Sequence, residues 1–185
     1  MVFSIVPTSN FPSEFYATIT SLLIIIIFLI ELRILIKQNI LGEKQDKGTL
    51  YLILAGIFFP IIFTIIFAYQ SFGVVNTSIS YLGLISLFGG FFLRQWAIFT
   101  LGRYFVPIIA KQKSQAIIIS GPYKYLRHPS YTGLLLEVFG FSLVLSNIFG
   151  FIIAIILLAP ALLYRIRKEE EFLLDNFKGY KGYIQ

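Results

Sequence analysis

Long apolar segments constrain this chain more than any other feature. A helix needs roughly 20 predominantly apolar residues to cross the hydrocarbon core of a bilayer. Three segments in the first 101 residues satisfy this length, and they cover residues 15–36, 50–72 and 79–101. Each is separated from the next by a shorter polar or uncharged stretch, so the sequence predicts three membrane-spanning helices in the region 1–101.

A fourth apolar segment, residues 131–164, is too long for one straight span. As a single helix it would be about 51 Å long, at about 1.5 Å per residue, whereas the hydrocarbon core is roughly 30 Å thick. Ser146-Asn147 offers turn chemistry near its middle. We therefore expect a helical hairpin, 131–146 and 148–164. The fold class that follows is an all-α integral membrane protein with five transmembrane helices in a single domain, 1–185.

Composition supports this class and excludes several kinds of site. Hydrophobic residues make up 57% of the chain and charged residues 13%, whereas the charged share of a soluble protein is nearer a quarter. The sequence has no cysteine and one histidine. These counts exclude disulfides, a cysteine nucleophile, and cysteine-rich or histidine-rich metal sites, so we expect no metal.

The basic residues indicate an orientation. All but one of the 15 Lys and Arg residues lie in three segments, 33–47, 103–127 and 165–181, and the exception is Arg94. Five spans place these segments on one face, which the positive-inside rule assigns to the cytoplasm. We therefore expect the N-terminus outside and the C-terminus in the cytoplasm. The net charge of +6 then reflects topology, and nucleic acid is not an expected partner.

The region 102–185 carries the candidate chemistry. The stretch 121–133 holds the only histidine, two prolines and three tyrosines, and it predicts a shaped loop at the membrane surface. After the last span, Arg165 and Glu169 share a helix face at i, i+4. Because a hairpin returns to the face where it began, the loop and this tail should meet. The residues expected on this rim are Tyr123, His128, Tyr131, Arg165 and Glu169.

Each of these residues also has a simpler interpretation. The tail could be a juxtamembrane helix with a solvated ion pair, and the tyrosines could be interfacial belt aromatics. His128 could simply cap a turn beside Pro129. Arg94 lies within a span, where a charge is costly unless it is satisfied. It either snorkels to the interface or is paired, with Glu137 as one candidate partner. We favour a structural role for both residues, with Glu137 also a candidate polar group of a pocket. Gly89-Gly90 should permit close helix packing.

The motifs resemble the isoprenylcysteine carboxyl methyltransferase family. The resemblance covers about the last 95 residues. It rests on Ser120–Tyr123, on Arg127–Tyr131 with Gly133, and on Arg165 with Glu169, Glu170 and Leu173, with a weaker match at Arg94, Ala97, Thr100 and Gly102. The tail departs from the family pattern, because the spacing between Phe177 and Tyr180 is one residue shorter. Contacts made by the tail are therefore not carried over.

The resemblance implies S-adenosylmethionine as methyl donor and a lipidic, isoprenoid-type carboxylate as acceptor. The sequence also lacks a Gly-x-Gly-x-x-Gly motif after a strand, so a Rossmann-type cofactor site is excluded, and the cofactor should sit in a cytoplasmic cap of loop and tail. By resemblance, Arg165 binds the acceptor carboxylate as the catalytic residue. The cofactor-binding residues implied in the same way are Gln115, Ala116, Ile117, Ile118, Tyr123, His128, Pro129, Ser130, Tyr131 and Glu169.

Two other functions remain open at this point. One is an NADPH-dependent membrane reductase of the sterol-reductase type, whose C-terminal region is distantly similar. The other is a non-catalytic lipid-binding or scaffold protein. Binding of S-adenosylmethionine, of NADPH or of neither distinguishes the three. The acceptor is equally open, since a prenylated cysteine, a small isoprenoid or a fatty acid would each supply a lipidic carboxylate.

Overall fold

The computed structural model describes residues 14–36, 48–76, 78–109, 117–177 and 179–183. These ranges contain six α-helices and two 3₁₀ turns. The helices are α1 (Glu14–Ile36), α2 (Thr49–Tyr69), α3 (Ile79–Leu101), α4 (Pro129–Val144), α5 (Ile148–Asn176) and α6 (Tyr180–Tyr183). The 3₁₀ turns are Gly102–Tyr104 and Gly121–Lys124. The described residues form no strand, only an isolated bridge between Val74 and Asn147.

Four helices, α1, α2, α3 and α5, are long and apolar enough to cross a membrane. Large apolar side chains are widely exposed on them, such as Phe99 at 88% and Ile85 at 71%, as expected for surfaces that contact lipid. The chain is therefore a multi-pass membrane protein. Helix α4 has 16 residues, about 24 Å at about 1.5 Å per residue, and is shorter than an ordinary span. The count of five spans stays a prediction.

The break in the fourth apolar segment is confirmed. Helix α4 ends at Val144 and α5 begins at Ile148, with Ser146 in the left-handed region at φ 51°. Asn147 caps α5, because its Oδ1 accepts a hydrogen bond from the Gly150 N–H at 2.8 Å. Its Nδ2 donates to the Phe72 carbonyl at 2.8 Å. This amide side chain thus fastens the hairpin turn to the chain that follows α2.

Helices α3 and α4 pack backbone against backbone. A Cβ atom on Gly90 would lie 2.6 Å from the Gly133 carbonyl oxygen, and one on Gly133 would lie 2.7 Å from the Arg94 Cβ. Only glycine permits so close an approach, as in other small-residue contacts between membrane helices. A Cβ on Gly89 would meet no atom of another described segment within 4 Å. The predicted close packing therefore holds for Gly90 and not for Gly89.

Because neighbouring helices run antiparallel, five helix segments meet at one end of the bundle. Helix α5 runs against α2, since Gly150 lies against Thr64 and Arg165 bonds to Thr49. Helix α1 joins the core through Ile24 and Ile27. As a result, the ends of α1 and α3, the starts of α2 and α4, and the middle of α5 gather together. We call this end of the bundle the site end.

Candidate active site

The loop before α4 is docked onto the last turn of α3. It enters through Gly121, whose φ of 58° favours glycine. A Cβ there would lie 2.9 Å from Thr100 Oγ1, so the loop approaches α3 closely. The 3₁₀ turn that follows buries Tyr123. Burial raises the pKa of the Tyr123 phenol, and the Glu169 carboxylate raises it further, so this hydroxyl stays protonated at neutral pH.

His128 stands at the start of α4 and faces two glutamates of α5. Pro129 follows it as the first helical residue, a position that proline favours. The His128 Nε2 atom lies 3.0 Å from Glu170 Oε1, and its Nδ1 lies 4.0 Å from Glu169 Oε2. Arg127 Nη1 is also 3.0 Å from Glu170 Oε1. The structure thus brings the loop and the polar part of α5 into direct contact.

The Tyr131 hydroxyl links Arg165 to Glu169. It accepts a hydrogen bond from Arg165 Nε at 3.1 Å and donates one to Glu169 Oε2 at 2.7 Å. Arg165 is 1% exposed, and its Nη2 also donates to the Pro107 carbonyl at 2.9 Å. Its Nη1 donates to Thr49 Oγ1. The buried guanidinium therefore ties α5 to α2, to α4 and to the segment after α3.

The C-terminal helix α6 lies across the loop. Tyr183 donates a hydrogen bond from its hydroxyl to the Tyr123 carbonyl at 2.6 Å. Tyr180 is 3% exposed, and its hydroxyl has no hydrogen-bond partner among the described residues. Burial raises the pKa of Tyr180, with further increases from the Glu170 and Glu169 carboxylates, so this phenol is a protonated donor at neutral pH.

A cavity of about 460 Å³ connects these polar groups with the apolar interior. At the site end it is lined by Tyr123, His128, Tyr131, Glu169 and Tyr180. Further along it is lined by side chains of α1, α2, α3 and α4 that include Ile24, Ile27, Ile57, Ile61 and Leu87. The volume falls within the range of about 300–1,000 Å³ that is usual for small-molecule sites.

Arg94 lies on the wall of this cavity and is not paired with Glu137. Its Nε donates to Glu31 Oε2 at 2.8 Å, and its Nη1 donates to Ser130 Oγ at 2.8 Å. Gln95 Nε2 donates to the other Glu31 oxygen at 2.8 Å. Arg94 is therefore paired, which was one of the two alternatives, but its partner is Glu31 from α1 and not the candidate Glu137. Glu31 and Glu137 both line the cavity beside Arg94.

Most of the site residues expected from the sequence line this cavity. They are Ile117, Ile118, Tyr123, His128, Ser130, Tyr131 and Glu169. Pro129 is buried at the start of α4, and Arg165 lies behind Tyr131 rather than on the cavity wall. Gln115 and Ala116 lie outside the described residues. Within the described ranges, no group of three or more His, Cys, Asp or Glu side chains is placed to hold a metal ion.

Sequence reasoning missed three kinds of lining residue. Tyr180 and Tyr183 were left out because the tail spacing is unusual, although two tyrosines at i, i+3 indicate a shared helix face. Arg94 was given a purely structural role. Glu31 was not considered, although an acidic residue within a span is itself a signal for a pocket or an ion pair.

The chain is similar to one protein family and to several curated proteins. A family described as the isoprenylcysteine carboxyl methyltransferase (ICMT) family matches residues 82–175, about half of the chain. A probable protein-S-isoprenylcysteine O-methyltransferase of Oryza sativa subsp. indica is 32% identical over 110 residues, 58% of this chain and 58% of that protein. Protein-S-isoprenylcysteine O-methyltransferase B of Arabidopsis thaliana is 33% identical over 110 residues, 58% and 56% of the two chains.

A third relative gives a similar result. The protein-S-isoprenylcysteine O-methyltransferase of Schizosaccharomyces pombe is 32% identical over 115 residues, 60% of this chain and 47% of that protein. The chain thus spans roughly half the length of the curated relatives it matches. The family match begins in α3 and ends in the polar part of α5, so it contains the loop, α4 and the Arg165–Glu170 segment.

Proposed function

Because the chain belongs to the isoprenylcysteine carboxyl methyltransferase family, we propose that it transfers a methyl group from S-adenosylmethionine to a lipidic carboxylate, such as that of a prenylated cysteine. One observation carries this proposal. A single cavity joins a polar rim at the site end to an apolar interior between the helices. The polar half would bind a water-soluble methyl donor, and the apolar half would bind the hydrocarbon chain of an acceptor.

The residues at the rim fit the methyl donor. The Tyr180 hydroxyl is buried without a partner among the described residues, so it is available to a ligand. The Glu169 carboxylate suits amino and hydroxyl donors, and Tyr123, His128, Ser130 and Tyr131 offer further polar contacts. S-adenosylmethionine, when bound, supplies an electrophilic methyl group. Pro129 and the segment with Ile117 and Ile118 would shape this half, together with Gln115 and Ala116, which lie outside the described residues.

The loop and the tail would form the cap over this half of the site. Tyr183 fastens α6 to the loop through the Tyr123 carbonyl. His128 and the two glutamates Glu169 and Glu170 hold the loop against α5. A cap of this kind excludes water and strengthens the electrostatic interactions inside it.

The acceptor needs orientation more than activation. A C-terminal carboxyl has a pKa of roughly 3.3–3.7 and is already ionised at neutral pH, so no general base is required. Holding the reactants in line can contribute about 7–11 kcal/mol in well-oriented cases. We assign the acceptor carboxylate to Arg165, whose planar guanidinium binds carboxylates through two parallel bonds. Its nitrogens now bond Tyr131, Thr49 and Pro107, so carboxylate binding requires it to exchange one of these partners.

The proposed setting is a membrane with the site end at its cytoplasmic face. Arg103, Lys124, Arg127, Arg165, Arg167 and Lys168 all lie at or beyond that end of the helices. This distribution agrees with the positive-inside rule. The lipid chain of the acceptor would then enter from the bilayer, and its carboxylate would face the cytoplasmic rim.

Methylation of N-acetyl-S-farnesylcysteine tests the function directly. We expect the purified protein to transfer radiolabelled methyl from S-adenosylmethionine to this compound. His128→Ala and Glu169→Ala should weaken S-adenosylmethionine binding, because both side chains line the polar half. Glu171→Ala is the matched control, since Glu171 lies on the same helix but is exposed and paired with Lys168. Affinity that is unchanged in both site variants would move the cofactor elsewhere.

The reductase alternative receives no support from the site. None of the relatives named above is a reductase, and no observation on the cavity favours a nicotinamide dinucleotide. Measuring NADPH binding in the same assay completes the test. Binding of NADPH without binding of S-adenosylmethionine would contradict the proposal.

A further inference from the structure

Glu137 places a carboxyl group on the wall of the cavity beyond the polar rim. It lies on α4, is 6% exposed, and lines the cavity. Its Oε1 is buried and has no hydrogen-bond partner among the described residues. The proposed methyl transfer does not use it. An unpaired carboxyl group among membrane helices is unfavourable, and ionisable residues at such a depth usually serve a ligand or an ion.

Arg94 faces the same cavity and keeps a donor for a ligand. Its Nε donates to Glu31, and its Nη1 donates to the Ser130 carbonyl and hydroxyl. Among the described residues, no bond uses its Nη2 and none joins it to Glu137. A Cβ on Gly133 would lie 2.7 Å from the Arg94 Cβ, and Glu137 follows Gly133 by one turn of α4. The wall thus presents an acceptor beside a donor.

A hydroxyl group fits this pair of side chains. Its O–H can donate to the Glu137 carboxyl while its oxygen accepts from the Arg94 guanidinium. An unbroken hydrocarbon chain would leave both groups unsatisfied. An ammonium group could donate to Glu137, but it has no acceptor for Arg94 and carries the same charge. The chemistry of the wall therefore favours a hydroxyl on the bound chain.

Helix geometry gives the distance from this wall to the acceptor carboxylate. We assign that carboxylate to Arg165, which lies behind Tyr131. Glu137 follows Tyr131 by six residues, about 9 Å along the axis of α4 and about 120° around it. With side chains extending roughly 5–6 Å from the axis, the two positions are roughly 13 Å apart. An extended chain covers about 1.3 Å per bond, so the span corresponds to about ten bonds.

We propose that Glu137 and Arg94 recognise a hydroxyl group on the chain of the acceptor, about ten bonds from its carboxyl carbon. The inference rests on the carboxyl methyltransferase function proposed above. It names the substrate class as a lipidic acid that is hydroxylated along its chain. A chain without this hydroxyl, or with the hydroxyl elsewhere, would leave Glu137 unpaired.

Positional isomers of one acid provide the test. In 10-hydroxyoctadecanoic acid the hydroxyl oxygen is ten bonds from the carboxyl carbon. The matched compound, 15-hydroxyoctadecanoic acid, has the same composition and carries its hydroxyl five carbons further along, and octadecanoic acid has none. Binding of each to the purified full chain is measured without methyl donor. We expect the wild type to bind the 10-hydroxy isomer about tenfold more tightly than the other two acids.

Variants of Glu137 link this preference to the side chain. Glu137→Gln keeps an oxygen that accepts hydrogen bonds and should retain the preference. Glu137→Leu and Glu137→Met are apolar, and they should weaken binding of the 10-hydroxy isomer alone and bring the ratio of the two isomers close to one. Unchanged S-adenosylmethionine binding shows that a variant is folded. Arg94 is kept in all variants, because it also holds Ser130 at the start of α4.

The outcomes separate this inference from the proposed function. Equal affinities of the two isomers in the wild type would overturn the inference without any variant, and so would failure of all three acids to bind. A preference that survives in the apolar variants, or equal weakening of both isomers in them, would also overturn it. Absence of S-adenosylmethionine binding and of methyl transfer to N-acetyl-S-farnesylcysteine would instead overturn the methyltransferase proposal.

Discussion

At the scale of single residues, Tyr131 joins the two halves of the site. Its hydroxyl receives a bond from Arg165 and gives one to Glu169. Removing or moving the guanidinium therefore affects a residue assigned to the acceptor and, through one hydroxyl, a residue assigned to the cofactor. The two roles can be separated only if binding of each ligand is measured by itself.

Arg165→Lys tests the acceptor role. Lysine keeps the charge but loses the planar pair of donors that holds both carboxylate oxygens. The attacking oxygen would then be free to rotate, and turnover should fall about 10²-fold, as expected for a misplacement on the order of 1 Å. The affinity for S-adenosylmethionine should change little, since Glu169 and the His128 loop remain. Steady-state methylation and equilibrium cofactor binding measure the two effects.

Thr49→Ala is the matched control for this variant. It removes one partner of Arg165 without touching the guanidinium or the cavity wall. We expect a loss of stability with most of the turnover retained. Near-normal turnover in Arg165→Lys would contradict the acceptor role, and so would an equal fall in both variants, which would indicate that Arg165 only holds helices together.

The sequence predicted some contacts between individual residues and not others, and the difference has a physical reason. His128, Tyr131, Arg165 and Glu169 were expected together because a helical hairpin must return to its starting face. The partner of Arg94 is Glu31 and not the candidate Glu137, because the choice between two acids depends on how α1 is rotated against α3. Periodicity does not fix that rotation when a helix is apolar on every side.

At the scale of helices, α3 and α4 are in backbone contact near the site end. Gly90→Ala places a Cβ 2.6 Å from the Gly133 carbonyl and 2.8 Å from the Glu137 nitrogen, both of them backbone atoms. Backbone cannot move aside cheaply, and such overpacking costs about 1–3 kcal/mol. We expect a lower thermal unfolding midpoint in detergent, by about 2–4 °C per kcal/mol for a chain of this size.

Gly89→Ala is the control from the same turn of the same helix. No atom of another described segment lies within 4 Å of its Cβ position, and alanine is the better helix former. Its midpoint should therefore be unchanged or slightly higher. Equal midpoints for Gly90→Ala and Gly89→Ala would show that the helices are not in backbone contact at this level.

A helix boundary could be predicted from the sequence where an apolar segment is too long for one membrane span. The break at Ser146-Asn147 followed from the thickness of a bilayer, because 34 apolar residues exceed one span. The continuation of α5 to Asn176 was less certain, since a polar tail can be helix or coil. Burial of Tyr180 could not be foreseen, because it depends on the tail folding back onto the loop, a contact between residues distant in sequence.

At the scale of the whole molecule, the short helix α4 decides the topology. It has 16 residues, yet it runs beside α3 from the Arg94–Ser130 contact to the approach of Gly83 to Val144. The turn after α4 is bonded to the chain after α2, at the end opposite the site. A helix that extends between the two ends of the bundle is expected to count as a span, and we therefore keep the prediction of five spans.

An odd number of spans places the two termini on opposite faces of the membrane. We therefore expect a C-terminal reporter that is active only in the cytoplasm to be active, and the same reporter at the N-terminus to be inactive. A second reporter that is active only outside should give the inverse pattern. By the positive-inside rule, we expect the basic segments at the site end to lie in the cytoplasm, with the C-terminus on the same side. Two cytoplasmic termini would reduce the spans to an even number and contradict α4 as a span. A C-terminus outside would move the site end, with its donor half, away from the cytoplasm.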